Sequence, residues 1–122
     1  MDSLYHDLLL DLYRHPLNKT VPQHFSNQAT EHNPLCGEEL TLYVGWNDAG
    51  IIESIGWQGE GCAISQTAAS LLTEELKGRP AVEASSFTLE KLLSLLGLEN
   101  LNPTRQRCAG LSLAALKKIM PI

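Results

Sequence analysis

Three cysteines, Cys36, Cys62 and Cys108, are the residues of this 122-residue chain best equipped for chemistry. A thiolate attacks sulfur and ligates metals, and an odd number of cysteines argues against a framework of paired disulfides. Their separations, 26 and 46 residues, contain no CxxC knuckle, so spacing alone is a weak metal signal. Their surroundings say more. Cys36 lies in NPLCGEE, Cys62 in GEGCAISQ and Cys108 in RQRCAGLS, each with a glycine beside it or two residues on: Gly37, Gly61 and Gly110. Glycine lets backbone come close to a neighbouring group, as a metal or persulfide pocket requires.

The elements that must position these thiols are readable from periodicity. Leu4, Leu8, Leu9 and Leu12 recur at helical spacing and predict an amphipathic helix over 3–14, stopped by Pro16. Residues 17–35 are polar, with two prolines, and read as a loop holding one short edge strand. LTLYVGW and IIESIGW around the turn NDAG predict a β-hairpin between Glu39 and Trp57. After GEGC, Ile64, Ala68, Leu71, Leu72 and Leu76 trace a helix closed by Lys77, Gly78 and Pro80. Thr88 caps LEKLLSLL, which Gly97 ends, and AGLSLAALKKIM closes the chain with two lysines in its last turn. The expected class is α+β: a small antiparallel sheet with helices packed on one side. No internal repeat or low-complexity tract is present.

On this map every cysteine falls at a junction. Cys36 enters the hairpin, Cys62 precedes the long helix and Cys108 precedes the final one, so two helix N-termini are expected to point at thiols and favour the thiolate.

Composition bounds the rest. The length suits one domain, residues 1–122. Nine basic residues against 14 acidic ones leave a net charge of −5, the wrong sign for following a phosphate backbone, so nucleic acid is not an expected partner. Apolar runs such as LLL and LLSLLGL fall short of the roughly 18 residues that span a bilayer, so no membrane partner is expected. The opening MDSLYHDLLLDLYRH lacks a basic segment and cleavage site, which predicts a cytoplasmic protein.

NPLCGEE, GEGCAISQTAASLLTEELKG and RQRCAGLSLAALKK, in that order, resemble the three cysteine motifs of the U-type iron–sulfur cluster assembly scaffolds, the IscU, SufU and NifU N-terminal domain family. LYRHPLNKT resembles the family's segment at the end of the first helix, so the resemblance runs from about residue 5 through nearly the whole chain. It implies a scaffold that accepts sulfur from a cysteine desulfurase, binds iron or a labile [2Fe-2S] cluster on Cys36, Cys62 and Cys108, and transfers it to recipient apo-proteins. The family's acidic residue two places after its first cysteine corresponds to Glu38, which joins the metal-ligand set. Cys36 and Cys108 are the expected persulfide acceptors.

The resemblance is mixed between branches. In one branch a histidine precedes the last cysteine, but here that residue is Arg107, which cannot ligate. GEGC and the basic RQRC resemble the SufU branch, whose members bind zinc and act as sulfurtransferases; this is the alternative implied function, with zinc as the alternative metal. Yet that branch carries an insertion between its second and third cysteines, and the 46-residue interval here is closer to the IscU length. Arg105 and Arg107 are candidates to stabilise a thiolate. His32, four residues before Cys36, is a remote candidate ligand. Trp46 and Trp57 read as core or partner surface, and the apolar face of the first helix as a docking surface for the desulfurase or a cover for the sheet.

Overall fold

The structure is a computed structural model that describes residues 3–34, 37–98 and 100–120. Helix α1 (Ser3–Arg14) is followed by strands β1 (Asn27–Asn33), β2 (Glu38–Trp46) and β3 (Ile52–Glu60). Helices α2 (Ala63–Leu76), α3 (Ala81–Ser85), α4 (Leu89–Leu96), α5 (Pro103–Ala109) and α6 (Leu111–Ile119) complete the chain. The strands form one antiparallel sheet in the order β1-β2-β3. The expected α+β class, a small antiparallel sheet with helices on one side, is what the chain adopts.

Register decides which face is buried. Leu42 lies opposite both Ala29 and Trp57, and Val44 opposite Ile55. Directly opposed residues share a face, so these side chains with Leu40 form one apolar surface. Helix α6 packs on β1 and β2, and α2 packs on β3. Leu42, Trp57, Leu72, Leu76, Leu92, Leu96 and Leu116 are fully buried between the layers. The first helix lies on α2. It buries Leu12 and leaves Leu8, Leu10 and Tyr13 exposed.

The hairpin turn forms as NDAG predicts. Asn47 Oδ1 accepts the N–H groups of Ala49 and Ile51 at 3.0 Å each. Gly50 has φ +79°, a conformation that suits glycine. Strand β3 runs beyond the expected limit at Trp57 to Glu60, which delivers the glycine pair of GEGC to the end of the strand.

The polar segment before β1 has a larger role than a loop. The Trp57 backbone N–H donates to Asn18 O at 2.9 Å, along the edge of β3 that β2 does not occupy. Trp57 Nε1 donates to Leu17 O at 2.8 Å, and Leu17 N–H donates in turn to Ser70 Oγ of α2 at 3.0 Å. The segment then crosses the outer face of the sheet. A Cβ at Gly56 would stand 2.2 Å from Thr20 O, and one at Gly45 would stand 3.1 Å from Phe25 Cα. Glycine is therefore required where the backbone passes over, and the edge of β3 is covered against pairing with another chain. Edge strand β1, expected to be short, has seven residues.

Two helices have no counterpart in the expected elements. The five-residue α3 is too short to show a period. Helix α5 is set by its cap: Asn102 Oδ1 accepts the Arg105 N–H at 2.9 Å, and Pro103 takes the first helical position.

Trp57 fills the space between the layers and holds the crossing segment, so Trp57→Ala is expected to cost about 3–5 kcal/mol. A urea midpoint close to that of the unsubstituted protein would contradict this placement.

Candidate metal centre

Three element ends meet at one corner of the sheet. Glu38 is the first residue of β2 and lies opposite Asn33, the last residue of β1. Both are buried, at 3% and 4% exposure. The neighbouring pair, His32 and Glu39, points to the other face because side chains alternate along a strand. His32 Nε2 stands 3.9 Å from Glu39 Oε1 at the exposed surface, which removes His32 as a ligand beside Glu38. Cys62 is the N-cap of α2, half-buried, just beyond the end of β3. Cys108 lies in the last turn of α5 at 3% exposure. One carboxylate oxygen of Glu38 and the sulfurs of Cys62 and Cys108 all lie within 4.8 Å of one another.

Hydrogen bonds fix the carboxylate. Its Oε2 accepts the Cys62 backbone N–H at 3.0 Å, and its Oε1 accepts Asn33 Nδ2 at 3.1 Å. The same Asn33 nitrogen stands 4.0 Å from Cys108 Sγ, the limit for a hydrogen bond to sulfur. Ser65 Oγ and Gln66 Nε2 donate to the carbonyls of Cys62 and Gly61 at 2.9 Å each, which holds the loop entering α2. Gly61 has a steric purpose: a Cβ there would stand 2.8 Å from Glu38 Oε2 and 2.4 Å from Ser65 Oγ. The glycine before Cys62 therefore makes room for the carboxylate.

Burial pushes the Glu38 carboxyl up. The hydrogen bonds from the Ser65 hydroxyl, the Cys62 N–H and the thiols of Cys108 and Cys62 outweigh it, and the group sits below its ordinary range. Burial likewise pushes the Cys108 thiol up, and the neighbouring Glu38 carboxylate and Cys62 push it further. Negative charge on both sulfurs and the carboxylate is therefore unfavourable unless a cation shares it. Two sulfurs and one oxygen suit a tetrahedral divalent ion such as zinc, whose donor atoms at 2.0–2.3 Å stand about 3.5–3.8 Å apart. A separation of at most 4.8 Å needs little side-chain adjustment to reach that spacing. The donor set fits a metal ion.

The sequence profile of the NifU-like N-terminal domain matches residues 4–120. The chain belongs to the NifU-like N-terminal domain family. It is 32% identical to the zinc-dependent sulfurtransferase SufU of Bacillus subtilis, with 97% of this chain and 90% of that protein covered. It is 30% identical to the iron–sulfur cluster assembly scaffold protein IscU 1 of Archaeoglobus fulgidus, covering 94% of this chain and 73% of that protein. In fold it resembles the crystal structure of a putative iron–sulfur cluster assembly scaffold protein for the SUF system from Fervidobacterium islandicum, with a TM-score of 0.77 at 21% identity and 94% and 95% of the two chains covered.

Against this NifU-like background, Glu38, Cys62 and Cys108 meet, whereas Cys36 lies outside the described residues. The expectation that Cys108 precedes a helix is corrected. It lies inside α5, and the N-cap of α6 is Gly110. The reason is the Asn102 and Pro103 cap, which starts a separate helix before the cysteine. Cys108 therefore opens no helix, and burial beside Glu38 pushes its thiol up where a helix N-terminus would have pulled it down. Arg105 and Arg107 are exposed. Arg107 lines a groove of about 530 Å³ with Pro34, Leu89, Pro103 and Leu111. Asn33 is a site residue that motif reading passed over, since it looked like part of a polar loop. Its signal was the step from polar alternation into NP at the strand end. Among the described residues no helix is long and apolar enough to cross a membrane.

Because the fold holds the Glu38 carboxyl below its unfolded value, the charged form adds stability that is present above about pH 4.3 and is lost as pH falls through the lower folded value. In metal-free protein Glu38→Gln is expected to be less stable near pH ~6, with the gap to the unsubstituted protein narrowing progressively as pH falls below about 4.3. Urea midpoints of both forms across that range measure it; a gap that widened with acid would contradict the sign.

Proposed function

We propose that this chain acts as one domain in iron–sulfur cluster assembly, accepting sulfane sulfur from a cysteine desulfurase and passing it toward recipient apo-proteins. The metal-holding set is Cys36, Glu38, Cys62 and Cys108. The observation that carries this reading is the meeting of Glu38, Cys62 and Cys108 within 4.8 Å, from three elements remote in sequence. Cys36, separated from Glu38 by Gly37 alone, completes a four-donor set by covalent reach. Thiols persist in a reducing cytosol, where we place the protein.

Zinc is the metal this reading favours. The donors are compact enough for a single ion, and Arg107 occupies the position of the histidine that serves one branch as a further ligand. When bound, such an ion holds the cysteines as thiolates. In the transfer, the Cys36 thiolate attacks the outer sulfur of the desulfurase persulfide. A new sulfur–sulfur bond forms on Cys36, the donor's sulfur–sulfur bond breaks, and the donor cysteine leaves as a thiolate with no net redox change. Of the two expected acceptors, Cys36 is preferred because Cys108 is enclosed, at 3% exposure, where a donor persulfide does not reach it. Cys62 is fixed through its backbone to Glu38. The exposed apolar residues Leu8, Leu10 and Tyr13 of α1 offer the desulfurase a surface.

A second reading, assembly of a labile [2Fe-2S] cluster as cargo on the same cysteines, is favoured by the interval between Cys62 and Cys108. The SufU alignment extends over 135 residues, more than the whole of this chain, whereas the IscU alignment needs 115.

The test is anaerobic. The protein, a cysteine desulfurase and cysteine are combined with zinc or with ferrous iron, and metal content, visible absorbance and sulfide release are followed. The sulfur-acceptor reading expects one zinc per chain, faster desulfurase turnover, and a persulfide that Cys36→Ser abolishes. Cys62→Ser and Cys108→Ser are expected to lower zinc content. A visible cluster with no effect on turnover would favour the second reading, and neither response would reject both.

A further inference from the structure

Asn33 belongs to neither the acid nor the thiol chemistry, yet it is built into the corner as closely as the ligands. It ends β1 opposite Glu38 and is 4% exposed. Its Nδ2 lies 3.1 Å from Glu38 Oε1 and 4.0 Å from Cys108 Sγ, across 75 residues of sequence. A side-chain amide nitrogen carries two hydrogens, so one group serves both acceptors.

The carboxylate of Glu38 is thereby held at both oxygens: Oε2 by the Cys62 N–H, Oε1 by Asn33. Its plane is fixed, and each oxygen keeps a lone pair for another partner. The second Asn33 hydrogen faces the sulfur that α5 brings in, linking the position of Cys108 to that of Glu38. A neutral donor suits this place. A carboxylate at position 33 would repel Glu38, while an ammonium would supply the positive charge that a metal ion brings.

We infer that Asn33 is a positioning residue for the metal centre, its amide donating to the Glu38 carboxylate and the Cys108 sulfur together and orienting both toward the shared ion. This rests on the reading of Glu38 and Cys108 as metal ligands. Groups that hydrogen-bond to ligands orient them, and their loss lowers metal affinity about 10- to 100-fold.

The test uses Asn33→Leu, similar in size but without donors, and Asn33→Ala. Zinc affinity is measured by competition with a chromophoric chelator, and cobalt(II) absorption reports the geometry and thiolate coordination. We expect affinity to fall about 10- to 100-fold and the cobalt bands to shift. In the unsubstituted protein, which avoids any folding defect of the variants, the ¹⁵N–¹H signals of the Asn33 side chain are expected to move on zinc loading. Variants that bind zinc within twofold of the unsubstituted protein with unchanged cobalt bands would overturn the inference, as would side-chain amide signals that zinc leaves in place. Both results leave the parent reading standing. Unsubstituted protein that takes up neither zinc nor cobalt would reject the parent reading, and the role of Asn33 with it.

Discussion

A carboxylate removed from water must be met by donors, and that requirement organises this molecule's functional corner. Glu38 is almost entirely enclosed, and its two oxygens are met by the Cys62 N–H and the Asn33 amide. The two donors come from different places, the entry to α2 and the end of β1. Satisfying one acid thus fixes the relative position of two strand ends and a helix start. The cysteines inherit that position. Cys62 is set by its own backbone bond to the acid, and Cys108 faces the amide that also holds it.

The remaining packing serves to keep the corner closed on one side. Helix α2 lies on β3 and receives α1, α4, α5 and α6, so the helix that begins at Cys62 is also the one most surrounded. Its first turn carries Ser65 and Gln66, whose side chains tie down the preceding carbonyls. Lys19 reaches Gln66 Oε1 at 3.1 Å while its ammonium stands 5.2 Å from the Trp57 ring centre. The segment that shields the edge of β3 therefore also braces the loop at Gly61. Helix α5 has only seven residues and is held by its cap, by α2 and by α6, so Cys108 has the shortest element behind it of the three clustered residues.

How much of this was legible in the sequence follows from which forces leave a periodic trace. The hairpin, α2, α4 and α6 each turn one apolar face to the core, and the spacing of Leu72 and Leu76 or of Leu92 and Leu96 records it, while in α1 the periodic leucines mark the helix although only Leu12 is fully buried. Helix α5 buries only its last two residues, Cys108 and Ala109, so it left no period and only the cap in Asn102 and Pro103 marked it. Strand β1 is NQATEHN: of its core-side residues only Ala29 is apolar, while Glu31 meets Lys118 of α6, which also donates to the Thr30 carbonyl, and Thr30 turns its hydroxyl to Thr41 on the other face. The meeting of Cys62 with Cys108 was not legible from spacing at all. It came from the resemblance of three motifs, since a contact across tens of residues is set by tertiary packing. Asn33 escaped notice for the same reason: its partner Glu38 is close in sequence, but its second partner is 75 residues away.

The uneven exposure of Glu38, Cys62 and Cys108 bears on the metal-holding role proposed for them. Cys108 and Glu38 are sealed at the back of the corner, whereas Cys62 is half open to solvent. Among these three described residues, Cys62 is the one a reacting partner can reach. The buried pair is then suited to retain a metal through a reaction cycle, because displacing either would expose an uncompensated charge in an enclosed site. The open side is suited to exchange, because a ligand lost there is replaced by water. A centre built this way separates holding from transfer between its two halves. The division arises from a strand end, where alternation turns Asn33 and Glu38 inward and His32 and Glu39 outward, and not from any feature of the cysteines themselves.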